Sequence, residues 1–509
     1  MKRHFLLALA FAALAAAPAA GAPDTIRIAV IHTNDVHGWI YARPATWYKA
    51  DPKRMVGGFA ALANFVKAER DPKLLLDGGD WFQGTPEAYF SSGTAMIECM
   101  NVLGYDAVEL GNHDFDFGLG QLERLARASK APVLGSNVYQ EKDGERPSFI
   151  TPMLLKDVGG VKVGIFGLLT TNMAGLAFPE NYRGLRFRRE VDEARDMVRQ
   201  LKAQGATVII AVSHMGFMDP KMNPFEDDKF LAGEVPGIDL IVGAHTHTRL
   251  SPAVRDPRNG TLITQAGNTL SQVGRAELEV DRATGKVVRS TDALVDLWVD
   301  RWGEDPDVEK IARRYKDDAD RIMNVVVATA AETIANARAG EAPLGDWMTD
   351  CERDWARTDL AFHNHGGIRA TIDAGPVTLR EIFDAMPFDN RMATLTLTGA
   401  QVRATFEQGV SGKAGMMQVS GASMRYKPDA ERGKRVQAVL VGGKPVKDDA
   451  LYTVATTDFL VHRGDGYNEL GHGRDMKVTP TLLRDVLIGC ARREGTLRPG
   501  LGGRIVKEP

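Results

Sequence analysis

Cysteine is scarce: 509 residues contain three, Cys99, Cys351 and Cys490. Their spacing excludes a zinc ribbon, so any metal must be held by His, Asp and Asn. In an exported protein two of the thiols can pair, and Cys351 with Cys490, both in the later half, is the more natural pair. Three buried free thiols is the competing reading. Excess charge is missing too. Lys and Arg number 63 against 66 Asp and Glu, a net charge of -3, which excludes a long-range pull toward nucleic acid or an anionic membrane surface. No basic stripe marks a nucleic-acid face, so no nucleic-acid partner is expected. An anionic substrate must then be attracted locally, by cations or a few arginines. Past Ala22 no apolar run approaches the roughly 20 residues of a spanning helix, and no internal repeat or low-complexity tract occurs.

What is present begins with Lys2 and Arg3, an apolar run over 5–17, and small residues at Ala17-Pro18-Ala19-Ala20-Gly21-Ala22. A positive start, a short greasy centre and a small-residue zone make a secretory signal, here residues 1–22. The run of about 13 residues is too short to anchor in a bilayer, and no nearby cysteine could take a lipid. Export to the periplasm, or secretion, with no membrane attachment after cleavage, is the expectation. The whole chain is 44% hydrophobic and 25% charged, the balance of a globular protein, and long enough for two or three domains.

Apolar strands alternate with helical patterns, which argues for a layered α/β domain. Strands are expected at 26–31, 74–76, 107–110, 133–135, 161–168, 207–212 and 238–242. Helices are expected at 57–69, 94–103, 119–129 and 191–204, and period-two stretches at 274–280 and 287–290 read as closing hairpin strands. Beyond a boundary near 301–306, Val308, Ile311, Ala312, Tyr315, Ala319 and Ile322 recur at helical intervals. This reads as a linker helix, 303–324, joining a first domain, 24–302, to a second α/β domain, 325–509.

Five of the strands end in metal-type ligands. They are Asp35 and His37, then Asp80, Asn112, His214, and the pair His245 and His247. Four of these seven residues are drawn from only 11 histidines in the chain, so their placement at strand ends is not accidental. One histidine after a strand is an ordinary capped side chain, but five strand ends of one chemistry define a site. The residue types suit two-metal hydrolysis, in which a carboxylate bridges cations roughly 3.5–4 Å apart. Imidazoles and one amide complete the ligand sets without cancelling all the positive charge. With no thiolate among them, zinc, manganese, iron or cobalt all fit.

The segments TNDVHG, GGD, GNHDFD, SHMG and GAHTH, in this order, resemble those of the calcineurin-like metallophosphoesterases. The whole chain from about Thr25 onward resembles the exported bacterial 5′-nucleotidases and UDP-sugar hydrolases. The resemblance implies an α/β fold with a four-layer αββα metallophosphoesterase domain, a linker helix and a mixed α/β substrate-binding domain. It implies one divalent metal on Asp35, His37, Asp80 and His247, and a second on Asp80, Asn112, His214 and His245. His113 would stabilise the transition state or protonate the leaving oxygen, and Asp116 would orient His113, with a helix N-cap as the alternative role for Asp116.

In the second domain, Asn364-His365-Gly366-Gly367-Ile368-Arg369 is similar to the family's phosphate-gripping turn, so Arg369 would hold the substrate phosphate. Phe459 would stack on a base, and Asp465 would accept ribose hydroxyls. The chain departs from the family at 415–421, where a second base-stacking aromatic is missing and only Met416 offers a soft contact. It departs again at Arg463, which puts a cation beside the pocket. The implied activity is hydrolysis of nucleoside 5′-phosphates, and of UDP-sugars among them. A 2′,3′-cyclic-nucleotide phosphodiesterase with 3′-nucleotidase activity, and a non-catalytic binding protein on the same fold, are the alternatives.

Overall fold

The computed structural model describes residues 24–217, 226–337, 339–411 and 415–509; the expected signal segment, 1–22, lies outside the described residues. Two sheets face each other in the first domain. One has five strands in the order Val287–Asp296, Gln272–Asp281, Thr25–Thr33, Lys73–Asp77, Ala107–Val108. The other has six, in the order Val254–Arg255, Leu262–Thr264, Leu240–Gly243, Val208–His214, Val161–Leu169, Met153–Val158. Central strands run parallel in both. All seven residues of Val208–His214 are buried, and a strand covered on both faces needs an unbroken apolar run, which is why these segments stand out in the sequence.

Ile28, Val30, Leu74, Leu76, Ile165, Val208, Ile210 and Leu240 fill the space between the sheets. Helices Phe59–Ala68, Thr94–Leu103 and Leu119–Ala128 cover the outer face of the five-stranded sheet, and Glu190–Ala203 with Asp228–Glu234 covers that of the six-stranded one. The result is a four-layer αββα sandwich. Each fully buried Ile or Leu contributes about 1.5–3 kcal/mol, so this inter-sheet core is the rigid base for whatever its loops must hold.

The segment 133–135 differs from expectation. It forms only single bridges, Val133 with Val108 and Leu134 with Thr151, because the chain leaves one sheet for the other: Leu134 donates to the Val108 carbonyl, and two residues later Ser136 donates to the Gly167 carbonyl. The connecting helix spans Pro306–Met323, started by Asp305, whose side chain accepts from the Asp307 and Val308 amides, and by Pro306 at its first position. Val308 and Ala312 join the core of the first domain, while Ile322 at its far end is 52% exposed.

The second domain has a five-stranded mixed sheet in the order Gln418–Ser420, Leu360–His363, Leu451–Thr457, Arg391–Thr398, Arg474–Leu482. Helices Pro343–Ala356 and Leu483–Glu494 share one core, and Gly399–Gly409 belongs to another. Cys351 and Cys490 are joined, tying the first two of these helices together across 139 residues, and Cys99 is a buried free thiol. Among the described residues no helix is long and apolar enough to cross a membrane. Replacing Cys351 and Cys490 together by Ser is expected to cost about 2–5 kcal/mol, read as a lower urea midpoint of the full-length chain; an unchanged midpoint would rule the cross-link out as a stabiliser.

Candidate metal centre

The C-terminal ends of parallel strands are where open α/β sheets build sites, and here two sheets contribute. Thr25–Thr33 delivers Asp35 and His37, Lys73–Asp77 delivers Asp80, and Ala107–Val108 delivers Asn112 and His113. From the facing sheet, Val208–His214 ends in His214 itself, and Leu240–Gly243 delivers His245 and His247. Five of the seven expected ligands have left-handed backbone angles: Asp35, His37, Asp80, His245 and His247, with φ between 49° and 72°. Each such residue costs roughly 1–2 kcal/mol, a strain that persists only where the surroundings over-determine it and that clusters at functional sites.

The side chains converge in two groups, Asp35 with His37 and His247, and Asp80 with His214 and His245, each with ligand atoms within 4.8 Å of one another. Asp80 lies between them. Its Oδ2 is 3.3 Å from His214 Nε2 and 3.7 Å from His37 Nε2, so one carboxylate oxygen faces both groups. His37 Nδ1–H donates to the Gln83 carbonyl (2.9 Å) and His214 Nδ1–H to the Gly78 carbonyl (2.7 Å), so both rings are fixed with Nε2 turned inward. Asp35 is held in turn by the Asn34 amide (2.6 Å) and the His245 N–H (3.0 Å).

These donors fit divalent cations. His37 Nε2 and His247 Nε2 face each other at 3.1 Å, and the buried Asn112 Oδ1 has no hydrogen-bond partner among the described residues. Burial, then the Arg369 charge, holds His37 well below its ordinary pKa; burial, then His37, does the same to His247, and burial with His214 brings His245 down to about 3. Neutral imidazoles are the form that binds metal. Burial raises Asp35 to about 7, whereas Asp80, despite burial, is held well below the carboxylate range by His214 and His113.

His113 stands at the edge of this centre. Its Nδ1 bonds Asp116 Oδ2 at 2.8 Å, its backbone N–H donates to Asp80 Oδ1 at 2.8 Å, and its ring centroid is 5.4 Å from that of His37. Burial opposes the imidazolium, but Asp116 and Asp80 outweigh it and raise the pKa. Gly118, not Asp116, caps the helix Leu119–Ala128, so the N-cap alternative for Asp116 does not hold.

Three further residues shape the loops. The Asp114 carboxylate accepts from the N–H groups of Gly111 (2.7 Å), Trp81 (2.9 Å) and Asp80 (3.0 Å), stitching the turn after one strand to that after its neighbour. Asp77 accepts from Thr33 Oγ1 (2.6 Å) and the Gly79 N–H (2.9 Å). Gly79 has φ +94°, and a Cβ there would lie 2.6 Å from the Gly111 nitrogen, so only glycine permits the approach. Asp114 sits inside the sequence segment that marks the site, but nothing in sequence separates a side chain that accepts backbone N–H groups from one that binds a ligand.

The second domain reaches the same place. Arg369 Nη2 is 3.2 Å from His37 Nε2. Asp465 Oδ2 accepts from the Asn364 amide (2.6 Å), and burial raises its pKa to about 6. Phe459 lies flat against Gly464, where a Cβ would come within 2.4 Å of the ring, and meets Phe178 of the first domain edge-on at 6.4 Å. Met416 is buried among the side chains of the domain core, and Arg463 is exposed and bonded to His472 Nε2 (3.2 Å).

Comparison with known proteins agrees with this geometry. Residues 28–249 match the calcineurin-like phosphoesterase family. The protein is therefore a metal-dependent hydrolase of phosphoric esters, of the class that uses two divalent cations. Residues 325–472 match the 5′-nucleotidase C-terminal domain, and the chain belongs to the 5′-nucleotidase family of these enzymes. It is 29% identical to a snake venom 5′-nucleotidase of Gloydius brevicauda, over 95% of this chain and 89% of the relative. It is 28% identical to protein UshA of Yersinia enterocolitica, over 88% and 87%. The crystal structure of a 5′-nucleotidase precursor from Thermus thermophilus superposes with a TM-score of 0.86 at 29% identity, covering 95% of this chain and all of that one. A sulfate thiohydrolase, SoxB, shares the fold alone, with 18% identity and a TM-score of 0.80.

Asp114→Asn puts an amide N–H₂ among three N–H donors. It is expected to weaken metal binding by roughly 10–100-fold, the usual worth of a group that orients ligands, measured by titrating metal into the stripped protein. Unchanged affinity would show that the turn holds without the carboxylate.

Proposed function

We propose that the chain is an exported phosphomonoesterase that releases phosphate from nucleoside 5′-phosphates, with UDP-sugars as further substrates. The observation that carries this reading is the guanidinium of Arg369, brought from the second domain to within 3.2 Å of His37. It sets a phosphate-gripping cation against the metal-type ligands of the first domain. In this reading residues 24–302 form the catalytic domain, 303–324 the linker and 325–509 the substrate-binding domain, and the signal at 1–22 directs export.

One cation would be held by Asp35, His37, Asp80 and His247, and the other by Asp80, Asn112, His214 and His245. Bound there, the two ions would polarise the phosphoryl group and lower the pKa of the attacking water. The chain's own side chains do the rest. Arg369 binds the substrate phosphate. Asp116 occupies Nδ1 of His113, so proton delivery to the departing O5′ falls to Nε2. Phe459 offers one face to the base. Asp465 already takes one hydrogen bond from Asn364 and uses its remaining acceptor capacity for ribose hydroxyls.

His113→Ala is expected to lower kcat by roughly 10²–10⁴ with both metals retained by elemental analysis. Retained turnover would remove His113 from the chemistry. A panel of AMP, UDP-glucose, 2′,3′-cyclic AMP and bis(4-nitrophenyl) phosphate tests the substrate class. Phosphate release from AMP is expected; its absence overturns the nucleotidase reading, and preference for the cyclic ester selects the phosphodiesterase instead.

A further inference from the structure

The acid–base imidazole is held from two domains. Among the described residues of its own domain His113 has one side-chain hydrogen bond, Asp116 Oδ2 to Nδ1. That bond fixes the tautomer, and the His37 ring meets the imidazole at a steep angle with centroids 5.4 Å apart. A stacked ring comes from the other domain: Phe388 lies against His113, with centroids 5.3 Å apart and planes 21° from parallel. The guanidinium of Arg369 lies 5.6 Å from the centroid of the same phenyl ring. Arginine, phenyl and imidazole thus form one group, with the phosphate-type cation and the proton donor both in contact with Phe388.

The segment carrying Phe388 is firmly built. Buried Arg484 donates to the Pro387 carbonyl (3.1 Å) and to Asp389 Oδ1 (2.7 Å). From the first domain, Tyr89 OH donates to Asp389 Oδ2 (2.6 Å), and the Tyr89 ring meets Phe383 edge-on at 5.2 Å. The segment is braced on one side by its own domain and docked on the other against the catalytic one.

We infer that Phe388 is a positioning residue for His113, so that the proton donor is fully oriented only when the second domain is docked; this rests on the proton-donor role proposed for His113. Misplacement of a catalytic group by about 1 Å can cost 10²-fold, and a ring free to pivot about Nδ1 moves its Nε2 by that order. The contribution must appear where the leaving group needs a proton and fade where it does not.

The test uses full-length, metal-loaded protein with two simple esters, phenyl phosphate, whose leaving group needs protonation, and 4-nitrophenyl phosphate, whose leaving group does not. For Phe388→Ala, kcat on phenyl phosphate is expected to fall roughly 10- to 100-fold, with KM within about threefold. Turnover of 4-nitrophenyl phosphate should change little, and metal content by elemental analysis should not change. Phe388→Trp should restore the rate, and Phe388→Leu, which keeps the apolar volume without the flat ring, should not. In a His113→Ala background, Phe388→Ala should cost nothing more. Equal losses on both esters, additivity with His113→Ala, or an unchanged kcat would each overturn the inference. Should His113→Ala itself spare phenyl phosphate, the proton-donor reading fails first; should AMP resist hydrolysis while the aryl esters behave as stated, only the nucleotide reading fails.

Discussion

Everything in the molecule answers to one electrostatic problem, the burial of two carboxylates, Asp35 and Asp80, in a common space with imidazoles on every side. Charges removed from water are costly unless compensated, and the fold divides the two carboxyls: burial drives Asp35 up to about 7 while His214 and His113 hold Asp80 far down. Asp80 stays an anion between the two ligand groups, with its second oxygen tied to the His113 N–H. Holding such an arrangement takes a scaffold that cannot relax around it. The paired sheets supply that rigidity, with strands from both ending at the same place and five strained residues kept in left-handed geometry.

The second domain completes the centre. Arg369 and Phe388 arrive beside His37 and His113, and a partly buried ionic cluster fixes how they arrive. Arg380, on the helix Leu379–Ala385, contacts Glu87 and Asp320 at 2.7 Å each and the Tyr41 hydroxyl at 3.1 Å. One guanidinium therefore joins the first domain, the connecting helix and the second domain. Ion pairs of this kind add little net stability, but their fixed geometry can specify one arrangement over others.

The layered fold was readable because strands buried on both faces must be written as continuous apolar runs, and the ligands because they follow those runs directly. The expected helix 94–103 coincides with Thr94–Leu103, where apolar periodicity and the left-handed Gly104 that ends it agree. What escaped depends on tertiary placement. Asp114 serves three backbone donors that local sequence cannot reveal, and Phe388 meets His113 only because two domains meet. The segment 133–135 has strand composition but passes between sheets.

The connecting helix carries a mechanical consequence. Val308 and Ala312 are embedded in the core of the first domain, and Asp305, at the start of the helix, donates to the Ala60 carbonyl through its backbone N–H. The helix is therefore an outrigger of the first domain, and the chain is first released from that domain beyond Met323, at Asn324 and the half-exposed Val325. Any rotation between the two cores has its fulcrum there, and Arg380 is the bolt it must draw.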